Sequence, residues 1–209
     1  MIKADPNDFL DIDMRLDQII LAIEVIIFIL PFAWVMVSMR MKGHDPKGSV
    51  GEHRWAAALT GFASLVWLLV ILTYLIDSQS TSWFGRIALF DYQIIKGIGL
   101  SLGALGAVIS TLGEFTLGAS FRVALPAERT ELITHGIYAV VRNPCVLGIY
   151  LIVLGTFLVT PSALALAAIV LNIIGYTLKV QAEEQLLRKL HGEAYEAYCR
   201  TTGRYFPRR

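Results

Sequence analysis

The sequence predicts an all-α, polytopic membrane protein with about five transmembrane helices, the last two joined as a helical hairpin, and with C-terminal helices that project beyond the bilayer. Three observations carry this. Hydrophobic residues make up 56% of the 209, charged residues only 17%, and mean hydropathy is +0.60, too apolar for a soluble domain of this size. The apolar residues fall into five runs separated by turn formers. The polar groups are concentrated in the C-terminal half, where they recur at helical spacing. We read residues 1–209 as one membrane domain, with a three-span region over 1–115 and a chemistry-bearing half over 116–209. A net charge of +1, with no basic cluster interleaved with aromatics, gives no reason to expect nucleic acid as a partner.

The first segment covers residues 18–39, long enough to cross a hydrocarbon layer of about 30 Å. Five aspartates precede it, and no small-residue cleavage site follows, so it is expected to be retained. Glu24 lies inside it, where a carboxylate must face other helices or reach the interface, and Pro31 is expected to kink the helix. The next loop holds Gly43, Asp45-Pro46 and Gly48 with His44 and His53, whose wide spacing in a turn-rich stretch argues against a metal site. The second segment, residues 55–76, has Trp55 at its start and Trp83 beyond its end, positions suited to interfacial aromatics.

The third segment, residues 94–112, is glycine-rich, with Gly97, Gly99, Gly103 and Gly106 inside it and Gly113 just beyond. This makes a smooth stripe for close helix approach, either within the chain or between two copies. The run GIGLSLGALG follows no predicted strand, so a nucleotide-binding loop is rejected. The fourth segment starts at Pro144, with Asn143 suited to the cap and Pro144 to the first helical position. It ends near Val159 and spans only about 24 Å. The fifth begins at Pro161 or Ser162, so the two form a tight antiparallel hairpin. It continues as a helix past the membrane until His191-Gly192 breaks it.

Fourteen lysines and arginines fall on the C-terminal side of this topology and four on the other, which places the C-terminus in the cytosol. Cys145 and Cys199 then read as free thiols in a reducing compartment. Start the fourth helix at that surface, and its free amides and positive dipole end, beside Arg142, form a seat for a carboxylate or phosphate. The plainer reading is that Arg142 anchors the helix to headgroups. Asn172, Tyr176, Lys179 and Glu183 share one face of the fifth segment, either as interhelical hydrogen bonds or as one wall of a recess. The hairpin is expected to bring Arg142, Lys179 and Glu183 together. Tyr205 and Phe206 read as interfacial anchors, with a lid as the alternative.

Leu132, Thr134, Gly136, Tyr138, Arg142, Pro144 and Gly148, followed by Glu183-Glu184, Leu187, Gly192, Tyr195, Tyr198, Arg204 and Pro207, resemble the isoprenylcysteine carboxyl methyltransferase family. The resemblance covers residues 130–209 and reaches the first three segments through topology alone. It implies S-adenosylmethionine as cofactor, bound on the cytosolic side, and a lipophilic methyl acceptor entering from the bilayer. It implies cofactor contacts from Thr130, Glu131, Leu132 and Ile133, from His135, Gly136 and Tyr138, from Asn143, Pro144, Cys145 and Val146, and from Glu183, Glu184 and Tyr195. Arg142 and Lys179 are implied to engage the acceptor. Three positions depart from the family pattern: Thr130 where histidine is usual, Val146 where tyrosine is usual, and Lys179 where the eukaryotic enzymes have arginine. Lysine keeps the charge but loses the bidentate fork. A carboxylate acceptor needs no general base, whereas an amine acceptor would need a carboxylate such as Glu184 or Glu24. A non-enzymatic scaffold or transporter component is the reading from a different class. No internal repeat supports a transporter.

Overall fold

The computed structural model describes residues 6–41, 54–117 and 132–208. Its helices are α1 (Pro6–Met41), α2 (Arg54–Ile76), α3 (Gln93–Leu117), α4 (Pro144–Val159), α5 (Ala163–His191) and α6 (Glu193–Thr201). Helices α1, α2, α3 and α5 are each long and apolar enough to cross a membrane. At 16 residues α4 is about 24 Å long. Among the described residues the only β features are two isolated bridges, so the all-α membrane fold expected from the sequence is the fold observed.

Two helices run further than the apolar pattern alone indicates. The aspartate-rich arm before the first span joins α1, where acidic residues favour the positive end of a helix. Helix α3 continues five residues beyond the expected Leu112 and so carries Glu114 inside the bundle. Pro31 does not interrupt α1.

Helix α3 is the hub, packed against α4 on one side and α1 on the other. Its glycines explain how. A Cβ at Gly106 would lie 2.5 Å from the Gly148 carbonyl oxygen, and one at Gly148 would lie 2.5 Å from the Gly106 oxygen. One turn-pair along, Gly99 and Gly155 meet in the same reciprocal way, at 2.7 and 2.5 Å. The backbones touch, so the stripe is filled from within the chain and is not left for a second copy. Gly103 makes room for the Glu24 carboxylate, which is 7% exposed.

Helix α5 lies on α2. Asn172 donates to the Ala63 carbonyl at 3.2 Å and to its own Ala168 carbonyl at 2.8 Å, and Gly175 sits against Thr60. Asn172 is therefore committed to helix packing and takes no part in a recess. The hairpin between α4 and α5 forms as expected. Tyr150 Oη lies 3.1 Å from Thr177 Oγ1, and Ser162 caps α5 by accepting from the Ala165 amide at 3.3 Å. Ile23, Leu30, Leu65, Leu105 and Ile174 point outward and give the bundle its lipid-facing belt.

At the hairpin turn, the Ile87 amide donates to the Pro161 carbonyl and Arg86 pairs with Asp91. A cleft of about 360 Å³ there is lined by Gln79, Arg86, Asp91, Lys96 and Pro161. It lies at the opposite end of α4 from Pro144. Its charged side chains are already paired among themselves.

Candidate functional site

The fourth helix opens as its sequence dictates, with Pro144 in the first turn. What precedes it differs from expectation. Asn143 makes no side-chain cap, and the amides of Arg142 and Asn143 donate to the carbonyls of Gly203 at 2.9 Å and Arg204 at 3.1 Å. The C-terminal tail thus lies along residues 141–143 like a short parallel strand. The amides of Cys145 and Val146, which have no intrahelical acceptor by the geometry of a helix start, are what is left of the predicted anion seat.

Two charge groups flank this mouth. In the first, the Glu184 carboxylate, its side chain 2% exposed, accepts from Arg142 Nη2 at 3.2 Å and from Arg204 Nε at 3.0 Å and Nη2 at 2.6 Å, with Arg188 at 3.8 Å. Arg142 also donates to the carbonyls of Cys199 and Thr202. Arg142 and Glu184 therefore fasten the tail to α5. This corrects the expectation that Glu184 faces a cofactor or serves as a base: arginines occupy both its oxygens. The hydrogen bond to Glu184 holds the Arg204 guanidinium above its ordinary pKa, so that pair stays charged.

The second group is Lys179 and Glu183, 3.4 Å apart, with the Lys179 ammonium 5.8 Å from the Tyr176 ring centroid. Both side chains keep partial access to the outside. The expected meeting of Arg142 with Lys179 and Glu183 is thus divided, because Arg142 takes the next glutamate along the helix. Cys145 lies between the helices, 3.5 Å from Tyr138 Oη, and its thiol is within electrostatic reach of Lys179 and Glu183 on α5 and of Glu114 on α3.

The remaining predicted residues fall as follows. Leu132 packs on the cluster of Tyr195, Tyr198 and Cys199 in α6, which makes Tyr195 a core residue. Ile133 is half-buried, and His135 and Gly136 are exposed at a short turn whose φ of 60° at Gly136 suits glycine. Tyr138 is buried and its carbonyl accepts from Tyr198 Oη at 2.6 Å. Burial pushes the Tyr198 phenol up to about 12, so it remains a donor at neutral pH. Val146 and Pro144 are buried. Tyr205 stacks edge-on against Tyr150 at 5.4 Å rather than reaching outward, whereas Phe206 is exposed. Thr130, Glu131, His44 and His53 lie outside the described residues.

Several buried polar atoms at this end have no hydrogen-bond partner among the described residues: Arg142 Nε, Asn143 Nδ2 and Glu114 Oε2. A third span that ends at Leu112 leaves Glu114 outside it, whereas α3 runs on to Leu117. A carboxylate one turn after Ser110 and next to Gly113 was the available signal.

This part of the chain is similar in sequence to known proteins. Residues 94–194, just under half of the chain, match the family model described as phospholipid methyltransferase, a stretch that runs from α3 into the start of α6. The resemblance to the isoprenylcysteine carboxyl methyltransferase family is borne out by curated relatives. A probable protein-S-isoprenylcysteine O-methyltransferase from Oryza sativa subsp. indica is 30% identical over 113 residues, 52% of this chain and 59% of that protein. A protein-S-isoprenylcysteine O-methyltransferase from Tribolium castaneum is 27% identical over 117 residues, 54% of this chain and 42% of that protein. Protein-S-isoprenylcysteine O-methyltransferase B from Arabidopsis thaliana is 30% identical over 111 residues, 50% of this chain and 55% of that protein. The match spans about half the length of each.

Proposed function

We propose that this protein transfers a methyl group from S-adenosylmethionine to a lipophilic acceptor, with a prenylated cysteine carboxylate as the first candidate. The observation that supports this most is the set of unmatched groups at the α4 mouth. Arg142 Nε and Asn143 Nδ2 are buried donors without acceptors among the described residues, beside the free amides of a helix start. Such a site suits a ligand rich in acceptor atoms, and the amino-acid carboxylate of S-adenosylmethionine is one. The residues present fit the cofactor, which when bound supplies an electrophilic methyl carbon.

The chain's own task is then alignment and exclusion of water. Lys179 orients the acceptor carboxylate as a point charge, held in place by Glu183 and the face of Tyr176. Arg142 acts mainly through the tail that it fastens, which closes the mouth on one side. Placing this end of the bundle in the cytosol agrees with the fourteen basic residues on that side. Titration calorimetry on the detergent-solubilised protein tests the cofactor, with S-adenosylmethionine and its demethylated product expected to bind. A labelled-methyl assay against a farnesylcysteine analogue and against phospholipid extracts then separates a carboxylate from an amine acceptor. The second reading, an amine-bearing phospholipid, draws on the name of the matched family and on the presence of a buried carboxylate near the mouth. If neither nucleoside binds, the methyltransferase reading fails.

A further inference from the structure

Glu114 is the group at this end that the function above leaves unused. It is 3% exposed, and its Oε1 receives only a long hydrogen bond of 3.4 Å from Ser110. Its other oxygen has no partner among the described residues. Among the described residues the cations nearby are spoken for: Arg142, Arg188 and Arg204 go to Glu184, and Lys179 goes to Glu183. A carboxylate buried in this way is costly unless something positive comes to it.

Its position says where that would happen. The adjacent Gly113 lets α4 come close: a Cβ there would lie 2.6 Å from Cys145 Sγ and 3.2 Å from the Cys145 amide nitrogen. Ser110 and Glu114 lie one turn apart on α3, and Cys145 Sγ contacts the Ser110 carbonyl at 3.8 Å. The free oxygen therefore belongs to the α3 wall of the α4 mouth, opposite the Lys179–Glu183 pair on α5. Among the described residues the mouth then has unsatisfied donors on one side and an unsatisfied anion on the other, the pattern a ligand with separated charges would complete. Glu24, another buried carboxylate with an oxygen that has no hydrogen-bond partner among the described residues, sits against Gly103, about 16 Å further along α3, and is too deep to share the site.

We propose that Glu114 is the counter-charge for an onium group bound at the α4 mouth, and that it sets the site's preference for a cationic ligand over its neutral counterpart. The proposal rests on the methyltransferase reading. Two sources share the chemistry: the sulfonium of the methyl donor, or the ammonium of an amine acceptor.

Calorimetry on the full chain distinguishes them by pairing each cation with a neutral analogue, S-adenosylmethionine with S-adenosylhomocysteine and dodecylamine with dodecanol. In the unsubstituted protein at least one cation is expected to bind about tenfold tighter than its partner, the scale of a close, desolvated charge pair. Glu114→Gln is nearly isosteric and removes the charge. It should abolish that preference by weakening the cation alone, and Glu114→Asp should restore part of it. Loss of the nucleoside preference assigns the sulfonium, and loss of the alkyl preference assigns the amine. If both nucleosides bind but the unsubstituted protein prefers neither cation, or if Glu114→Gln changes neither ratio, Glu114 is a packed acid and the proposal is overturned. If no nucleoside binds at all, the methyltransferase reading falls first and takes this one with it.

Discussion

Glu183 and Glu184 are neighbours with opposite fates, and the difference is one of burial. Consecutive residues on a helix point about 100° apart, so when Glu183 stays half-open beside Lys179, Glu184 is driven into the seam between α5, α6 and the tail. There its charge is tolerable only because arginines 42 and 20 residues away in sequence converge on it. The sequence identifies both glutamates as candidates. It cannot say which is buried, because the partners of Glu184 come from the start of α4 and from the tail. Removing one partner of such a group leaves its counter-charges stranded. Glu184→Ala should therefore destabilise the protein by roughly 3–5 kcal/mol. Lys179→Ala breaks a more open pair worth roughly 0.2–1 kcal/mol. Thermal unfolding in detergent, followed by helicity, checks the contrast. Equal midpoints for the two variants would contradict the fastening role given to Glu184.

At the scale of helices, the glycine stripe on α3 was legible as a packing surface, but its partner was not. The signal was present on the other side: Gly148 and Gly155 are spaced as Gly99 and Gly106 are, and antiparallel helices bring the two sets into register. The hairpin was readable for a different reason, since a connection of three residues leaves no other arrangement. Asn143 and Pro144 take the cap and first-turn positions that helix-start rules assign them, but the Asn143 side chain makes no cap, and the backbone ahead of α4 is held by the tail, a partner about 60 residues away that local rules do not contain. The glycine register predicts a sharp pair of outcomes. Gly148→Ala puts a methyl 2.5 Å from the Gly106 oxygen and 2.7 Å from the Ser110 nitrogen, backbone that cannot yield without separating α3 from α4. It should cost about 1–3 kcal/mol and weaken nucleoside binding, because both walls of the mouth ride on that contact. Gly97 has nothing within 4 Å of its would-be Cβ, so Gly97→Ala should be neutral or slightly stabilising. Equal effects in the two variants, measured by thermal unfolding, would show that the register is wrong.

For the molecule as a whole, the question is what closes the α4 mouth, and residues 202–208 lie against its start. Gly203 and Arg204 satisfy the backbone ahead of α4, the Arg204 side chain shares Glu184 with Arg142, Arg208 donates to the Cys199 carbonyl at 2.7 Å, and Tyr205 covers Tyr150. None of these contacts touches α1, α2 or α3. The membrane bundle and the mouth should thus be separable by truncation. Ending the chain after Thr201 leaves the helix-to-helix contacts of α3 with α4 and of α5 with α2 in place. It exposes two backbone amides and deprives Glu184 of Arg204. The expected outcome is a protein that still inserts and keeps its helical content, measured by circular dichroism in detergent. Its affinity for S-adenosylmethionine should fall at least tenfold, since the backbone of Arg142 and Asn143 loses the Gly203 and Arg204 carbonyls, and the Arg142 side chain the Thr202 carbonyl, that position the helix start. Had the tail been only a membrane anchor, as its aromatics suggest when read in isolation, the same truncation would loosen membrane attachment and leave nucleoside affinity unchanged. Calorimetry on the truncated chain decides between these, because the anchor reading predicts no change in the one quantity that the fastening contacts control.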